Sequence, residues 1–479
     1  MSLRIYNTLT RRKEEFRPLE EGKVRIYCCG PTVYDYFHIG NARTFVFFDV
    51  VRRYLEFKGY DVRYVQNITD IDDKIINRAH EMGISPKEVA DRFTQAYLED
   101  SRSLLIKPPT VNPKATEHIP DMIELIKRLI DKGAAYVVDG DVYFDVRSFP
   151  EYGKLSGRSL DDLLAGARVE VDERKRHPED FALWKSAKPG EPWWESPWGR
   201  GRPGWHIECS VMAMKHLGET IDIHGGGIDL IFPHHENEIA QSETATGKPF
   251  ARYWMHVAFL RAGGRRMGKS EGNFIFVRDA LKRFKPEAIR LFLLSAHYRS
   301  PLDYTEERLA EAEGAVSRLR NCLLNLKRFG AEGKVKGELA EEERKLADAL
   351  EELKGKFEEE MDDDFNTAGA IGAIFDFVSH ANKFIAENQG RFTDNARALM
   401  REAYETLLKL TDVLGIYREE RRSGDEELIS KLIDLIVEIR HEARQRKDWA
   451  TADKIRDRLA QLGIKLQDTR EGTIWRFED

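Results

Sequence analysis

The chain has 479 residues, 41% of them hydrophobic and 33% charged, with a formal net charge of −7. That length exceeds one hydrophobic core, so roughly two to four domains are expected, and no apolar run is long enough to span a membrane. The acidic balance excludes bulk electrostatic capture of nucleic acid but leaves room for a local basic face. Four cysteines (28, 29, 209 and 322) give no disulfide framework, and the opening MSLRIYNTLTRRKEEF lacks the apolar core of a secretory signal. A reducing, cytoplasmic setting is expected.

Residues 24–29 (VRIYCC) read as a buried strand, and DVRYVQNIT as a second. Between them Phe45, Phe48, Val51 and Leu55 recur at three- and four-residue steps, which predicts an amphipathic helix over 42–58 with Asn41 as its N-cap. Strand, loop, helix, strand implies a parallel sheet with a crossover connection. The loop HIGN falls at the helix start, where free amide N–H groups favour a phosphate. Neither GxGxxG nor a Walker lysine is present.

Residues 71–106 read as helical and stop at Pro108-Pro109. A helix over 115–132 leads to a hairpin turning at Asp139-Gly140, then to a charged, irregular stretch. Trp184, Trp193, Trp194 and Trp198 are expected to pack an insertion against the main sheet, whereas Trp205 is placed to line a pocket. Strand patterns return at TIDIHGGG and WMHVAFL. The glycine-rich loop RAGGRRMGKSEGN carries Arg261, Arg265, Arg266 and Lys269, a clamp for a polyanion at a strand end, and FVRDALKRF follows as a helix. From about 286 the pattern is helical over 305–328, 339–360, 364–388, 393–413, 425–446 and 448–462. A hairpin closes the chain, preceded by basic residues crowded around Trp449, a surface suited to RNA.

The densest chemistry lies in GWHIECSVMAMKHLGETIDIHGGGIDLIFPHHENE, 204–238. His234 and Glu238, four apart, project from one helix face. With Cys209 they make three ligands where zinc wants four, and one of Cys28 and Cys29 could supply the fourth. The plain alternative is a buried apolar cysteine and solvated histidines. A triple glycine, a proline and further ionisable groups packed into so short a stretch favour a site.

HIGN (38–41) resembles the HIGH signature, and RMGKS (266–270) the KMSKS signature, of class I aminoacyl-tRNA synthetases. CCGPTVYD, NITDIDDK, GRPGWHIECS, IHGGGIDLIFPHHENEIAQSE and the closing KDWATADKIRDRL…GTIWRF are similar to cysteinyl-tRNA synthetases over essentially the whole chain. Two positions depart from the pattern: Asn41 replaces a histidine, and Arg266 and Gly268 replace a lysine and a serine.

The resemblance implies an α/β fold: a Rossmann-like parallel-sheet catalytic domain split by an insertion, then a mostly α-helical C-terminal region ending in a small hairpin. The implied divisions are 1–112 and 201–275 for the catalytic halves, 113–200 for the insertion, 276–328 for stem-contact helices, 329–416 for a helical bundle and 417–479 for anticodon binding. It implies one Zn2+ per chain on Cys29, Cys209, His234 and Glu238. His38, Asn41 and Lys269 are the implied catalytic groups. Gly40, Asp229 and Arg266 join them in binding ATP with Mg2+, and Thr69, Trp205 and His224 wall the cysteine pocket. The implied reaction joins L-cysteine to tRNA(Cys) through a cysteinyl-adenylate, in a cytoplasmic monomer with no membrane partner. Two alternatives are a cysteine:amino-sugar ligase of mycothiol synthesis and a non-catalytic RNA-binding paralogue.

Overall fold

A computed structural model describes residues 2–159, 174–268, 272–388, 392–418, 424–469 and 472–477. The chain divides into two compact units. The first comprises 1–316, 356–372 and 411–416, and the second 317–355, 373–410 and 417–479.

The first unit opens with an antiparallel pair, β1 (Arg4–Asn7) and β2 (Arg12–Glu15). Then come β3 (Lys23–Cys28), α1 (Ile39–Phe57), β4 (Asp61–Gln66), α2 (Asp73–Met82), α3 (Pro86–Ser103) and α4 (Ile119–Asp131). The insertion contributes β5 (Ala135–Val138), β6 (Asp141–Phe144), β7 (Phe181–Ser186) and β8 (Gly201–Pro203). After it come α5 (Trp205–Leu217), β9 (Ile221–Gly227), α6 (Glu236–Thr246), β10 (Ala251–Val257), β11 (Leu260–Ala262), β12 (Arg265–Arg266), α7 (Pro286–Leu294) and β13 (Leu302–Tyr304).

The central sheet has the order β10-β9-β3-β4, and every pairing in it is parallel. The first half of the chain thus supplies the inner strand β3, and the second half inserts β9 beside it. Val24, Ile26, Tyr27 and Cys28 are fully buried, as expected of a strand covered on both faces. Helix α1 buries Phe45, Phe48, Val51 and Leu55, and also Val46, Phe47 and Val50. A Cβ built on Gly225 would lie 1.9 Å from the Phe48 ring, so only glycine lets β9 run against this helix.

The predicted start of α1 needs correcting. The helix begins at Ile39, and its cap is His38, whose Nδ1 accepts the Asn41 N–H at 3.3 Å. Histidine is an uncommon cap, so the usual preference pointed past it to Asn41. The expected helix over 71–106 is two helices, broken at Gly83 with φ +66° and restarted by a capping box between Ser85 and Glu88.

The hairpin turns at Asp139 and Gly140, both with positive φ (50° and 84°), as a tight two-residue turn requires. It belongs to a larger antiparallel sheet, β5-β6-β7-β8. Strands β7 and β8 were not expected, because the surrounding charge and tryptophan masked two short segments. Trp184 is fully buried in the core that also holds Tyr27, Cys29 and Cys209, and Trp194 and Trp198 pack against that core. Trp193 does not, being 44% exposed beneath the Arg200 guanidinium. The predicted helix FVRDALKRF is a single turn, Val277–Ala280.

A buried charge network ties α1 to distant parts of the first unit. The Asp49 carboxylate accepts from Arg53 Nε at 2.9 Å and Arg290 Nη2 at 2.7 Å. Arg290 also donates to the carbonyls of Leu104 and Leu414, and Arg53 to those of Leu105 and Asp412. Arg43, also buried, donates to the carbonyls of Ala258, Phe259, His297 and Ser300. These bonds fix the end of β10, and with it the start of the basic loop, against α1.

The second unit takes its core from α8 (Glu306–Phe329), α9 (Glu341–Asp362), α10 (Thr367–Glu387) and α11 (Asp394–Leu414). Leu319, Leu323 and Leu326, at helical spacing on α8, are buried, as are Leu346, Leu350, Phe377 and Leu407 on the other three helices. The terminal part holds α12 (Gly424–Gln445), α13 (Trp449–Gln461) and the hairpin β14 (Ile464–Thr469) with β15 (Gly472–Phe477), packed on Ile433, Leu459 and Ile464. Arg440, the first of the basic residues in RHEARQRKDWATADKIRDR that the sequence places on a surface around Trp449, is instead 4% exposed and bonded to Asp468 at 2.6 Å and to Thr473 at 3.0 Å. Trp449 does lie 57% exposed. No helix among the described residues is long and apolar enough to cross a membrane.

Candidate active site

The carboxyl ends of β3, β4 and β9 converge with the amino ends of α1 and α5, where open α/β sheets bind ligands. Gly30 turns the chain out of β3. A Cβ there would lie 1.7 Å from the Asn67 carbonyl oxygen, so no side chain fits. Its N–H donates to Asn67 Oδ1 at 2.8 Å.

Cys29 just past β3, Cys209 on α5, His234 in the turn before α6 and Glu238 in the first turn of α6 come together. Their ligand atoms all lie within 4.8 Å of one another, and all four residues are buried. The two sulfurs are 3.8 Å apart, Cys29 Sγ is 3.7 Å from Glu238 Oε1, and His234 Nε2 is 3.0 Å from the same oxygen. Two sulfurs bound tetrahedrally at zinc–sulfur distance would be separated by about 3.8 Å. The donor set and spacing therefore fit zinc without rearrangement of the backbone. Cys28, by contrast, is buried with its thiol against its own neighbour's carbonyl, and burial pushes that thiol up to about 12.

A second set, Cys29, His224, His235 and Glu238, shares two residues with the first. His224 Nε2 donates to Glu238 Oε2 at 2.8 Å, and His224 stacks on Trp254 with centroids 4.4 Å apart. His235 Nε2 is 3.3 Å from Cys29 Sγ, and its Nδ1 is 2.8 Å from His256 Nε2, whose other nitrogen meets the Thr8 hydroxyl. Both imidazoles of this layer are fully buried. Trp205 stacks on His234 at 4.3 Å on the opposite side and is 37% exposed, so access comes from the Cys209–His234 side.

The electrostatics separate the two layers. Against the upward push of burial, His224 and His234 hold the Glu238 carboxyl down to about 2. Burial would lower His234, but Glu238 and Cys209 raise it to about 10. The Cys209 thiol is held down to about 6, chiefly by its hydrogen bond from Cys29. Burial and neighbouring imidazoles push His235 well below its ordinary range, and burial takes His256 down to about 3. Charge is thus favoured on Glu238, His234 and Cys209, whereas His235 and His256 are held neutral.

Residue adjacency in PHHENE singled out His234 but gave no reason to include His235, and His206 and His256 were missed altogether. His206 Nδ1 meets His234 Nδ1 at 2.9 Å. Only WH and MH beside strongly patterned segments could have signalled these two. Glu236 and Asn237 anchor the insertion: Glu236 accepts the N–H groups of Leu155 and Ser156, and Asn237 accepts from the Tyr152 hydroxyl.

Thr69 is buried after β4, paired with Thr32. His38, Gly40 and Asn41 form the first turn of α1, with Asn41 exposed. The limb after the basic loop runs against this turn: Ile39 N–H donates to the Ile275 carbonyl at 3.0 Å, and the His38 and Phe274 rings are 5.9 Å apart. Asp229, 40% exposed at its side chain, pairs with Arg266 Nη2 at 2.7 Å. Asn273 braces the loop, accepting the Gly268 N–H and donating to the Arg266 carbonyl. Lys269 and Ser270 lie outside the described residues.

This parallel sheet, with a phosphate-ready helix start and a basic loop at its carboxyl edge, is the catalytic fold of class I aminoacyl-tRNA synthetases. It resembles Mycobacterium tuberculosis methionyl-tRNA synthetase in complex with methionyl-adenylate (TM-score 0.60, 17% identity, 82% of this chain and 90% of that chain). It also resembles a LeuRS–tRNA–LeuAMS ternary complex from Agrobacterium radiobacter (TM-score 0.62, 12% identity, 83% and 85%). At the sequence level, the model for the class I (C) catalytic domain matches residues 15–314, a DALR domain 356–418, and the cysteinyl-tRNA ligase anticodon binding domain 430–476. The cysteine--tRNA ligases of Pelotomaculum thermopropionicum and Thermococcus onnurineus are 54% and 52% identical to it, each over 99% of both chains. The chain belongs to the cysteinyl-tRNA ligase family.

Proposed function

We infer that this chain ligates L-cysteine to tRNA, with ATP driving the reaction through a cysteinyl-adenylate. The observation that carries the reading is the buried cluster of two thiols, an imidazole and a carboxylate beneath an exposed tryptophan. In this reading Cys29, Cys209, His234 and Glu238 hold one zinc ion, and His224 orients Glu238 from behind. Zinc held there supplies a preference for a thiolate over a neutral hydroxyl, which an apolar pocket cannot achieve by shape. Thr69 and Trp205 wall the amino acid.

No enzyme nucleophile is needed. The amino-acid carboxylate attacks the α-phosphate and pyrophosphate leaves, so the protein's task is alignment and charge neutralisation. His38 and Asn41 at the start of α1, with Lys269 from the loop, face the phosphates. Gly40 allows the nucleotide to approach closely, Asp229 accepts from the ribose hydroxyls, and Arg266 adds positive charge. Magnesium accompanies ATP. Since Arg266 pairs with Asp229 in this structure, nucleotide binding exchanges that ion pair for a ribose contact.

Metal analysis of two variants tests the ligand assignment. Cys29→Ser is expected to lose zinc and Cys28→Ser to retain it. The reverse pattern contradicts the assignment.

The match of an anticodon-binding model to 430–476 supports tRNA as the acceptor over an amino sugar. A chain ending at Tyr417 retains residues 411–416, which belong to the first unit and include the Leu414 carbonyl bonded to Arg290. It is expected to bind zinc and exchange pyrophosphate, while its charging of tRNA falls through weaker RNA binding. Charging equal to that of the full chain would assign the tail another task.

A further inference from the structure

The turn that presents His234 is irregular. It runs over Ile231–His235, with Phe232 extended (φ −138°, ψ 133°) inside an otherwise helical stretch, and the Glu236 N–H closes it by donating to the Ile231 carbonyl. With the helical ladder broken at Phe232, neighbouring groups must fix the angle at which His234 enters the site. Residues 152–158 of the insertion grip the turn on both sides of His234. Before it, the Arg158 guanidinium lies 5.4 Å from the centroid of the Phe232 ring. After it, the fully buried Glu236 carboxylate accepts the Leu155 N–H at 3.3 Å and the Ser156 N–H at 2.8 Å. Asn237 Oδ1 accepts from the Tyr152 hydroxyl at 2.5 Å, and Glu243, further along α6, pairs with Lys154 at 2.5 Å. Tyr152 and Leu155 are buried in the core that also holds Cys29 and Cys209. The strap is thus seated on the same core as both sulfur ligands and holds the turn that brings His234 to them.

Glu236 stands between His234 and Glu238 in the sequence but belongs to neither candidate ligand set, and the reaction as described gives it no part. A buried carboxylate whose two oxygens each accept an amide N–H acts as a clamp between two segments of backbone. One segment here is the metal-holding turn, and the other is the insertion. We propose that Glu236 is a positioning residue for the metal, through which the insertion fixes the angle of the His234 imidazole. The assignment rests on the reading of the site as one that holds zinc. It gives the insertion a task of its own: besides interrupting the catalytic sheet, it sets the ligand geometry on which thiol selection depends.

Two measurements on the full chain test it: zinc affinity by competition with a chelator, and the visible absorption of chain loaded with cobalt(II) in place of zinc. The cobalt bands follow ligand type and geometry, which a loss of global stability alone does not move. Glu236→Gln keeps the size of the side chain but offers one acceptor oxygen, so one of the two N–H groups loses its partner. It is expected to weaken zinc binding by about ten- to a hundredfold, the usual cost of losing a group that orients a ligand, and to shift the cobalt bands. If either readout stays as in the unaltered chain, the proposal is overturned. Should Glu236→Gln fail to fold, Arg158→Ala, at an exposed residue, carries the same two readouts with smaller shifts in the same direction. Either readout left unchanged there also overturns the proposal. Failure of the parent reading is distinguishable, because the unaltered chain would then itself take up neither zinc nor cobalt.

Discussion

Lys269→Ala is expected to lower kcat for adenylate formation by about 10²–10³-fold, the usual effect of removing a donor aimed at developing charge. The KM for ATP should change little. The first limb of the loop is fixed by Arg266 on Asp229 and its last by Ile275 and Phe276 on the start of α1. Asn273 joins the two limbs through Gly268 and Arg266. The described residues on either side of 269 are thus tied to Asp229 and to the start of α1 beside His38. A lysine there adds charge where the phosphate oxygens gain it, and little of that interaction exists before the reaction starts. Initial-rate pyrophosphate exchange decides the matter. Near-normal kcat with a raised KM for ATP would mean that Lys269 binds the ground state instead.

Asp49→Ala is expected to destabilise the first unit by about 3–5 kcal/mol, measured by denaturant unfolding. Arg290 is fully buried and Arg53 nearly so, and both turn to this one carboxylate. Removing it leaves Arg290 without a carboxylate in a low-dielectric interior and Arg53 with only that of Asp412, 3.1 Å away. Removing the pair as Asp49→Ala with Arg290→Met should cost less than the single change, since a buried ion pair replaced by apolar groups is often close to neutral. A double variant less stable than Asp49→Ala would show that Arg290 serves chiefly through its carbonyl contacts at Leu104 and Leu414.

Much of the front layer of the site was legible in the sequence because its residues sit in short, dense motifs. Cys209, His234 and Glu238 share one stretch, and Cys29 precedes a glycine that the fold cannot replace. The rear layer was not legible. His256 reaches His235 only because β10 lies next to β9, a pairing that no local pattern encodes. Periodicity found α1 but misplaced its cap, since the competing acceptor was a histidine ring rather than an Asn side chain. Charge patterning failed at Arg440, where a basic cluster read as surface includes a residue spent on Asp468. Burial of a charge depends on a partner far along the chain, and composition does not reveal it.

Activation of cysteine at this site, and its selection by the thiol, are tested by ATP–pyrophosphate exchange with cysteine and with serine, run on the zinc-loaded chain and on chain stripped with a chelator. Rapid exchange with cysteine is expected, with a kcat/KM for serine lower by more than about 10³-fold, beyond the roughly 10–200-fold that shape discriminates. Stripping the metal should abolish that margin together with most of the cysteine activity. Comparable exchange with the two amino acids, or a preference for cysteine that survives removal of zinc, would contradict that selection.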